Sequence, residues 1–226
     1  MAEGRFITLE GGEGAGKSTQ AQLLADALQA LGVPVLRTRE PGGAPGAEVL
    51  RELLLSGRCA WSAPAETLLH FAARAEHVER TIRPALAAGT WVVCDRFADS
   101  TMAYQGYGQG ADRTMIANLT RIIGLVPDVT FVLDVSAEAA AARLCGRGAA
   151  ADRYEREASA FHSRVAAGFR EIARAEPSRC VLIDANRTAA DVHAEIMQRV
   201  QGLSREAGPA ERRNRRRMQT RRTDGP

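Results

Sequence analysis

The residues with the plainest chemistry lie near the start of the chain. Gly11-Gly12-Glu13-Gly14-Ala15-Gly16-Lys17-Ser18 fits G-x-x-x-x-G-K-[ST]. An apolar run, RFITLE over 5–10, precedes it, and a helical pattern starts at Lys17. Glycines at these positions let backbone N–H groups wrap around phosphate oxygens. The N-terminus of the following helix adds partial positive charge. Lys17 is placed to bridge the β- and γ-phosphates of a nucleoside triphosphate, and the Ser18 hydroxyl to ligate Mg²⁺. Thr19, next on the helix, joins this ATP-binding set. A chance match arises in roughly one chain in a hundred of this length, and correct flanks make it rarer. Lys17 is also the only lysine, the other 29 basic residues being arginine. A guanine-reading N-K-x-D element is therefore absent, which argues against a regulatory GTPase.

Such a loop must be carried by strands and helices, and the pattern supplies them. Short apolar runs at 5–10, 33–39, 91–95, 129–135 and 179–184 read as strands. Helical patterns lie between them, at 17–31, 48–55, 65–88, 113–124, 137–144, 154–175 and 188–203. Strands apolar on both faces and separated by helices predict an α/β fold, with a five-stranded parallel sheet flanked by helices on both sides. The 226 residues, 45% hydrophobic and 25% charged, suit a soluble globular domain. No apolar run approaches a membrane span, and no signal peptide is visible. The four cysteines and four histidines form no ligand spacing, so a His/Cys metal site is not expected.

Charge is unevenly placed. The segment 205–226 holds eight arginines against three acidic residues, while the net charge of the whole chain is only +3. The body, 1–204, is thus slightly acidic and no basic nucleic-acid binder. The tail reads as a disordered, solvated appendage, capable at most of weak, salt-sensitive association with polyanions.

Further segments narrow the reading. In order they are Leu9-Glu10-Gly11, Thr38-Arg39-Glu40-Pro41-Gly42-Gly43, Phe71-Ala72-Ala73-Arg74, Asp95-Arg96-Phe97 and Ser100-Thr101-Met102-Ala103-Tyr104-Gln105-Gly106. This ordered set resembles the bacterial thymidylate kinase family over about residues 5–203. The resemblance implies a three-layer P-loop NTPase fold of nucleoside monophosphate kinase type. It implies phosphorylation of dTMP by ATP and Mg²⁺, a cytoplasmic location and a homodimer.

It also implies site residues. Phe71 is expected to stack on thymine and Arg74 to bond a thymine carbonyl; three apart on a helix, they share a face. Arg96 ends a buried strand and needs an anion, which the dTMP phosphate would provide. Arg39 is a further substrate-binding candidate. Asp95 either orients Arg96 or binds Mg²⁺ through water. Glu13 is expected to accept from the deoxyribose 3′-OH, Tyr104 to crowd the 2′ position, and Thr101 and Gln105 to make polar contacts near the base. Some family members keep a catalytic arginine in the phosphate loop, where this chain has Gly14. A lid over about 143–155 then has to supply it, with Arg147 and Arg153 as candidates beside Lys17 and Arg96. Phe97 stands where the family usually carries a hydrogen-bonding residue. Other P-loop kinases of nucleotides or deoxynucleosides, and a nucleic-acid-stimulated ATPase using the tail, are the competing readings.

Overall fold

The computed structural model describes residues 4–146, 153, 154 and 157–206, with side chains as far as Gly202. Five strands, β1 (Phe6–Gly11), β2 (Val35–Arg39), β3 (Trp91–Asp95), β4 (Val129–Asp134) and β5 (Cys180–Asp184), form one sheet in the order β2-β3-β1-β4-β5. Every pairing is parallel. The predicted α/β architecture is therefore the observed one.

The central strands explain the apolar runs. β1 is buried along its whole length, and β4 nearly so, because helices cover both faces. Ile7 and Leu9 meet Leu24 and Leu28 of α1 (Lys17–Ala30) and Ile196 of α9 (Ala189–Glu206) on one side. On the other, Phe6 packs edge-on against Phe97, with ring centroids 4.9 Å apart. Polar residues on that face are paired. Thr8 Oγ1 lies 2.7 Å from Thr130 Oγ1 across the β1–β4 register.

The remaining helices are α2 (Pro45–Leu55), α3 (Ala63–His77), α4 (Arg83–Ala87), α5 (Ala98–Thr101), α6 (Arg113–Ile123), α7 (Ala137–Gly146) and α8 (Ser159–Ala175). Three differ from expectation. The helix predicted over 65–88 is interrupted by a π-helical turn, Val78–Ile82. Pro84 opens the α4 segment; lacking an N–H, it cannot continue α-helical bonding. The helix predicted from Tyr154 starts only at Ser159, after the extended residue Ala158. Tyr154 itself is held in a turn by buried partners described below. Finally, α5 and its π-helical continuation Met102–Gly108 were not expected. Their Ser, Thr, Gly and Tyr content is poor in helix formers, and packing against α8 compensates.

β1 lies between β3, reached after an excursion through β2, and β4 on the opposite side. Crevices at the carboxyl ends of strands on either side of such a reversal are where α/β proteins bind ligands. The glycine-rich loop leaves β1 there.

Candidate active site

The phosphate loop is shaped by backbone only glycine tolerates well. Gly14 has φ +70, and a Cβ there would sit 2.6 Å from Ala140 O on α7. An arginine at this position is thus incompatible with α7 where it lies. Gly12 and Gly16 have open space on that side instead, leaving the loop accessible to a ligand. Lys17 is buried and its Nζ donates to Gly12 O at 2.6 Å. Burial, followed by the neighbouring Arg96, lowers its ammonium to about 8.

At the end of β3, Arg96 adopts φ +71, the one non-glycine residue in this region among those described. Its turn is fastened by Glu10. That buried carboxylate accepts from Phe97 N at 2.7 Å and Ser100 Oγ at 2.5 Å. Burial, reinforced by Asp99, raises Glu10 to about 7. The Arg96 guanidinium then crosses to the phosphate loop. It donates to Glu13 Oε1 at 2.5 Å, to Tyr104 Oη at 3.1 Å and to Gly11 O at 3.1 Å. Tyr104 Oη also donates to Glu13 Oε1 at 2.8 Å. Burial works to raise the Glu13 carboxyl, but Arg96 and Lys17 prevail and hold it at about 2. Glu13 is therefore a fixed anionic acceptor at neutral pH.

Ser18 Oγ donates to Asp95 Oδ2 at 2.5 Å. Asp95 Oδ1 is buried with no hydrogen-bond partner among the described residues. A hydroxyl and an orphaned carboxylate oxygen beside a phosphate loop fit a hard divalent cation that takes its other ligands from phosphates and water. No group of three or more His, Cys, Asp or Glu side chains forms a metal cage among the described residues.

At the far end, Arg74 is 2% exposed. Its Nε donates to Glu40 Oε2 at 2.8 Å, and its Nη2 to Phe97 O at 3.0 Å and Thr101 Oγ1 at 3.1 Å. Nη1 is buried without a partner among the described residues. Both ends open on one cavity of about 610 Å³, lined by Lys17, Ser18, Asp95 and Arg96 on one side and by Arg74 and Thr101 on the other.

Not every expected residue reaches this cavity. Phe71 is 4% exposed, packs with Ala111 and Ile116, and is not part of the wall. Its ring backs the Arg74 guanidinium, 4.7 Å from centroid to Cζ. Arg39 lines the cavity rim but is half-exposed and paired with Glu48 at 3.1 Å. Arg153 does not point to the phosphate loop. It lies 2.5 Å from Glu66, a fully buried carboxylate. Gln105, Gln109 and Tyr154 donate to the same carboxylate, each at 2.8 Å. Because the Tyr154 hydroxyl proton goes to Glu66, His70 Nε2, 2.8 Å away, must be the donor to the phenol oxygen. Burial, then Arg74, pushes His70 down to about 3, consistent with a neutral ring. Arg147 lies outside the described residues.

The wall also contains residues to which the sequence attached no role: Glu40, Arg51, His70, Arg143 and Tyr154. Arg143 donates from α7 to Gly14 O at 3.3 Å and to Ala185 O at 2.7 Å, closing the loop's outer side. Glu40 stood inside a quoted motif, and His70 is four residues before Arg74 on the same helix. Those were the available signals.

A family model described as thymidylate kinase matches residues 9–196. The chain belongs to the thymidylate kinase family. Among its relatives, a thymidylate kinase from Gluconobacter oxydans is 54% identical over 202 residues, 88% of this chain and 94% of that one. One from Caulobacter vibrioides is 54% identical over 199 residues, 87% of this chain and 95% of that one. The crystal structure of thymidylate kinase from Ehrlichia chaffeensis superposes with a TM-score of 0.72 at 37% identity, covering 88% of this chain and 99% of that one. Within this thymidylate kinase fold, the phosphate loop and the Arg74 end are joined by the Glu13–Arg96–Tyr104 cluster.

Proposed function

We propose that the chain transfers the γ-phosphoryl group of ATP to dTMP, with Mg²⁺ held at Ser18 and Asp95 and the base read at Arg74. Phosphorylation of dTMP in dTTP synthesis is the activity of its family. The observation that carries the site reading is the Arg74 Nη1 donor, buried and without a partner among the described residues, on a side chain that lines the cavity. A buried donor left unmade costs free energy, and a base carbonyl would satisfy it. Thr101 and Gln105 line the same end.

The acceptor phosphate is already anionic, so the reaction needs no protein nucleophile. It needs alignment and charge neutralisation. Lys17 and Arg96 supply positive charge on either side of the transfer line, and Glu13 offers an acceptor for the sugar hydroxyl. Tyr104, fixed against Glu13 and Arg96, fills space beside the sugar. Mg²⁺ would add Lewis-acid charge on the ATP phosphates. Of the two lid arginines, Arg153 would have to leave Glu66 to reach a phosphate, which favours Arg147 as the one acting on the transferred group.

No helix among the described residues is long and apolar enough to cross a membrane. We read the protein as cytoplasmic and dimeric. Exposed Val49 and Leu53 of α2 and Leu68 of α3 offer apolar area for a second copy, which sedimentation would test. A coupled assay for ADP release with dTMP, dUMP, dCMP, AMP and thymidine tests the substrate, and preferred turnover of any other acceptor would overturn it. A chain ending at residue 204 is expected to keep its kinase activity.

A further inference from the structure

Arg74 is held by more than its own neighbours. Glu40, at the end of β2, is 4% exposed, and its backbone N–H donates to Asp95 O at 2.9 Å. One carboxylate oxygen takes Arg74 Nε. The other accepts from His77 Nδ1 at 3.0 Å, and His77 Nε2 lies 2.8 Å from Thr38 Oγ1. His77 is fully buried. The loop after Glu40 closes over this imidazole so tightly that a Cβ on Gly43, at φ +83, would sit 2.3 Å from His77 Nε2. A chain of four side chains, Thr38–His77–Glu40–Arg74, thus runs from the sheet edge through α3 to the cavity.

A buried ion pair of this kind gives little net stability compared with apolar packing. Here it fixes a direction. The Arg74 guanidinium lies between two rings, with Cζ 4.7 Å from the Phe71 centroid and 5.2 Å from that of Phe97. That arrangement sets its plane. Glu40 on Nε, with Phe97 O and Thr101 on Nη2, sets its rotation within the plane. Nη1 is the donor left over among the described residues, on a side chain that lines the cavity. Arginine donates only and never accepts. A fixed donor therefore favours a base presenting a carbonyl and disfavours one presenting an amine at the same place.

We propose that Glu40, itself held by His77 and Thr38, is a positioning residue that sets the base selectivity of this cavity through Arg74. The inference rests on the reading that a pyrimidine base lies at Arg74. A guanidinium free to swing would lose its preferred hydrogen bond to dTMP and could turn away from the amine of dCMP.

The test uses the full chain and compares kcat/KM for dTMP and dCMP in wild type, Glu40→Gln and Thr38→Val. In Glu40→Gln the KM for dTMP is expected to rise about 10-fold, and the dTMP-over-dCMP preference to narrow by about the same factor, the size of one well-placed hydrogen bond. The KM for ATP is expected to stay unchanged. Thr38→Val keeps the side chain's shape and acts three links away. It is expected to narrow the preference in the same direction by about 2- to 3-fold, and it reports on the chain if Glu40→Gln fails to fold. A purely structural Glu40 would lower thermal stability or kcat and leave the preference unchanged; an unchanged preference in the folded variants overturns the proposal. If wild type itself shows no preference for dTMP, the reading of the base site fails instead.

Discussion

Arg96 Nη2 donates to Glu13 Oε1 at 2.5 Å and thereby ties the end of β3 to the phosphate loop. The two residues are 83 positions apart, yet neither has its proposed function without the other. Glu13 keeps Arg96 charged where burial would oppose it. Arg96 keeps Glu13 ionised and in place. The pair stands between the phosphate loop and the Arg74 end of the cavity, where on the proposed reading the two phosphates of the reaction would meet.

Arg96 carries this role from strained backbone. A left-handed conformation costs a non-glycine residue about 1–2 kcal/mol. Arg96→Gly is therefore expected to unfold at a higher temperature than Arg96→Ala, by about 1 kcal/mol of stability, although both lose turnover by about 10²-fold or more. Calorimetry beside steady-state kinetics would separate the two effects. Equal stability of the variants would remove the strain argument.

Lys17→Ala is expected to abolish measurable turnover, with about 10³-fold loss or more. Lys17→Arg should not restore it, because a planar fork does not fit where a single ammonium reaches Gly12 O. The lowered ammonium also has a consequence for binding. ATP phosphates favour the charged form, so above about pH 8 binding should take up a proton and weaken as pH rises. Calorimetric titrations in buffers of different ionisation enthalpy would measure this uptake, and a null result at pH 9 would contradict it.

Arg74→Ala is expected to raise the KM for dTMP by about 10- to 100-fold, with a much smaller change for ATP. Phe71→Ala should do the same more weakly, because the ring supports the guanidinium. Equal losses for the two substrates in both variants would place the base elsewhere.

Two buried groups give the stability profile opposing slopes. Glu10 is raised from 4.5 to about 7, so the folded chain holds the extra proton and stability falls as pH rises through that window. His70 is lowered from 6.5 to about 3, so the unfolded chain holds the extra proton and stability rises with pH through 3 to 6.5. Between pH 4.5 and 6.5 they largely cancel. Glu10→Gln should remove the falling part, so that the variant gains on wild type by up to about 3 kcal/mol between pH 4.5 and 7. Urea titrations at pH 5, 6 and 7 would show it; a constant difference across them would mean that Glu10 does not titrate there.

The phosphate loop and the five strands were legible because each is a local signal. Glycine spacing, a lone lysine and apolar runs report on their own neighbourhoods. The helix containing Tyr104 and Gln105 was not legible, since its residues favour helix only once packed against α8. Glu66 was likewise invisible as a hub. Nothing near it in sequence announces that Gln105, Gln109, Arg153 and Tyr154 will converge on one buried carboxylate.

Sequence alone determined that a nucleoside triphosphate is held on a parallel α/β scaffold, because the chemistry of that loop resides in eight adjacent residues. Tertiary structure decided which charges face the cavity and which are spent on partners. It turned Arg153 to Glu66, set Phe71 behind Arg74, and left Arg74 Nη1 and Asp95 Oδ1 without partners among the described residues. The reason is that a long side chain's direction is fixed by the opposite charges and ring faces it meets, and those come from distant parts of the chain.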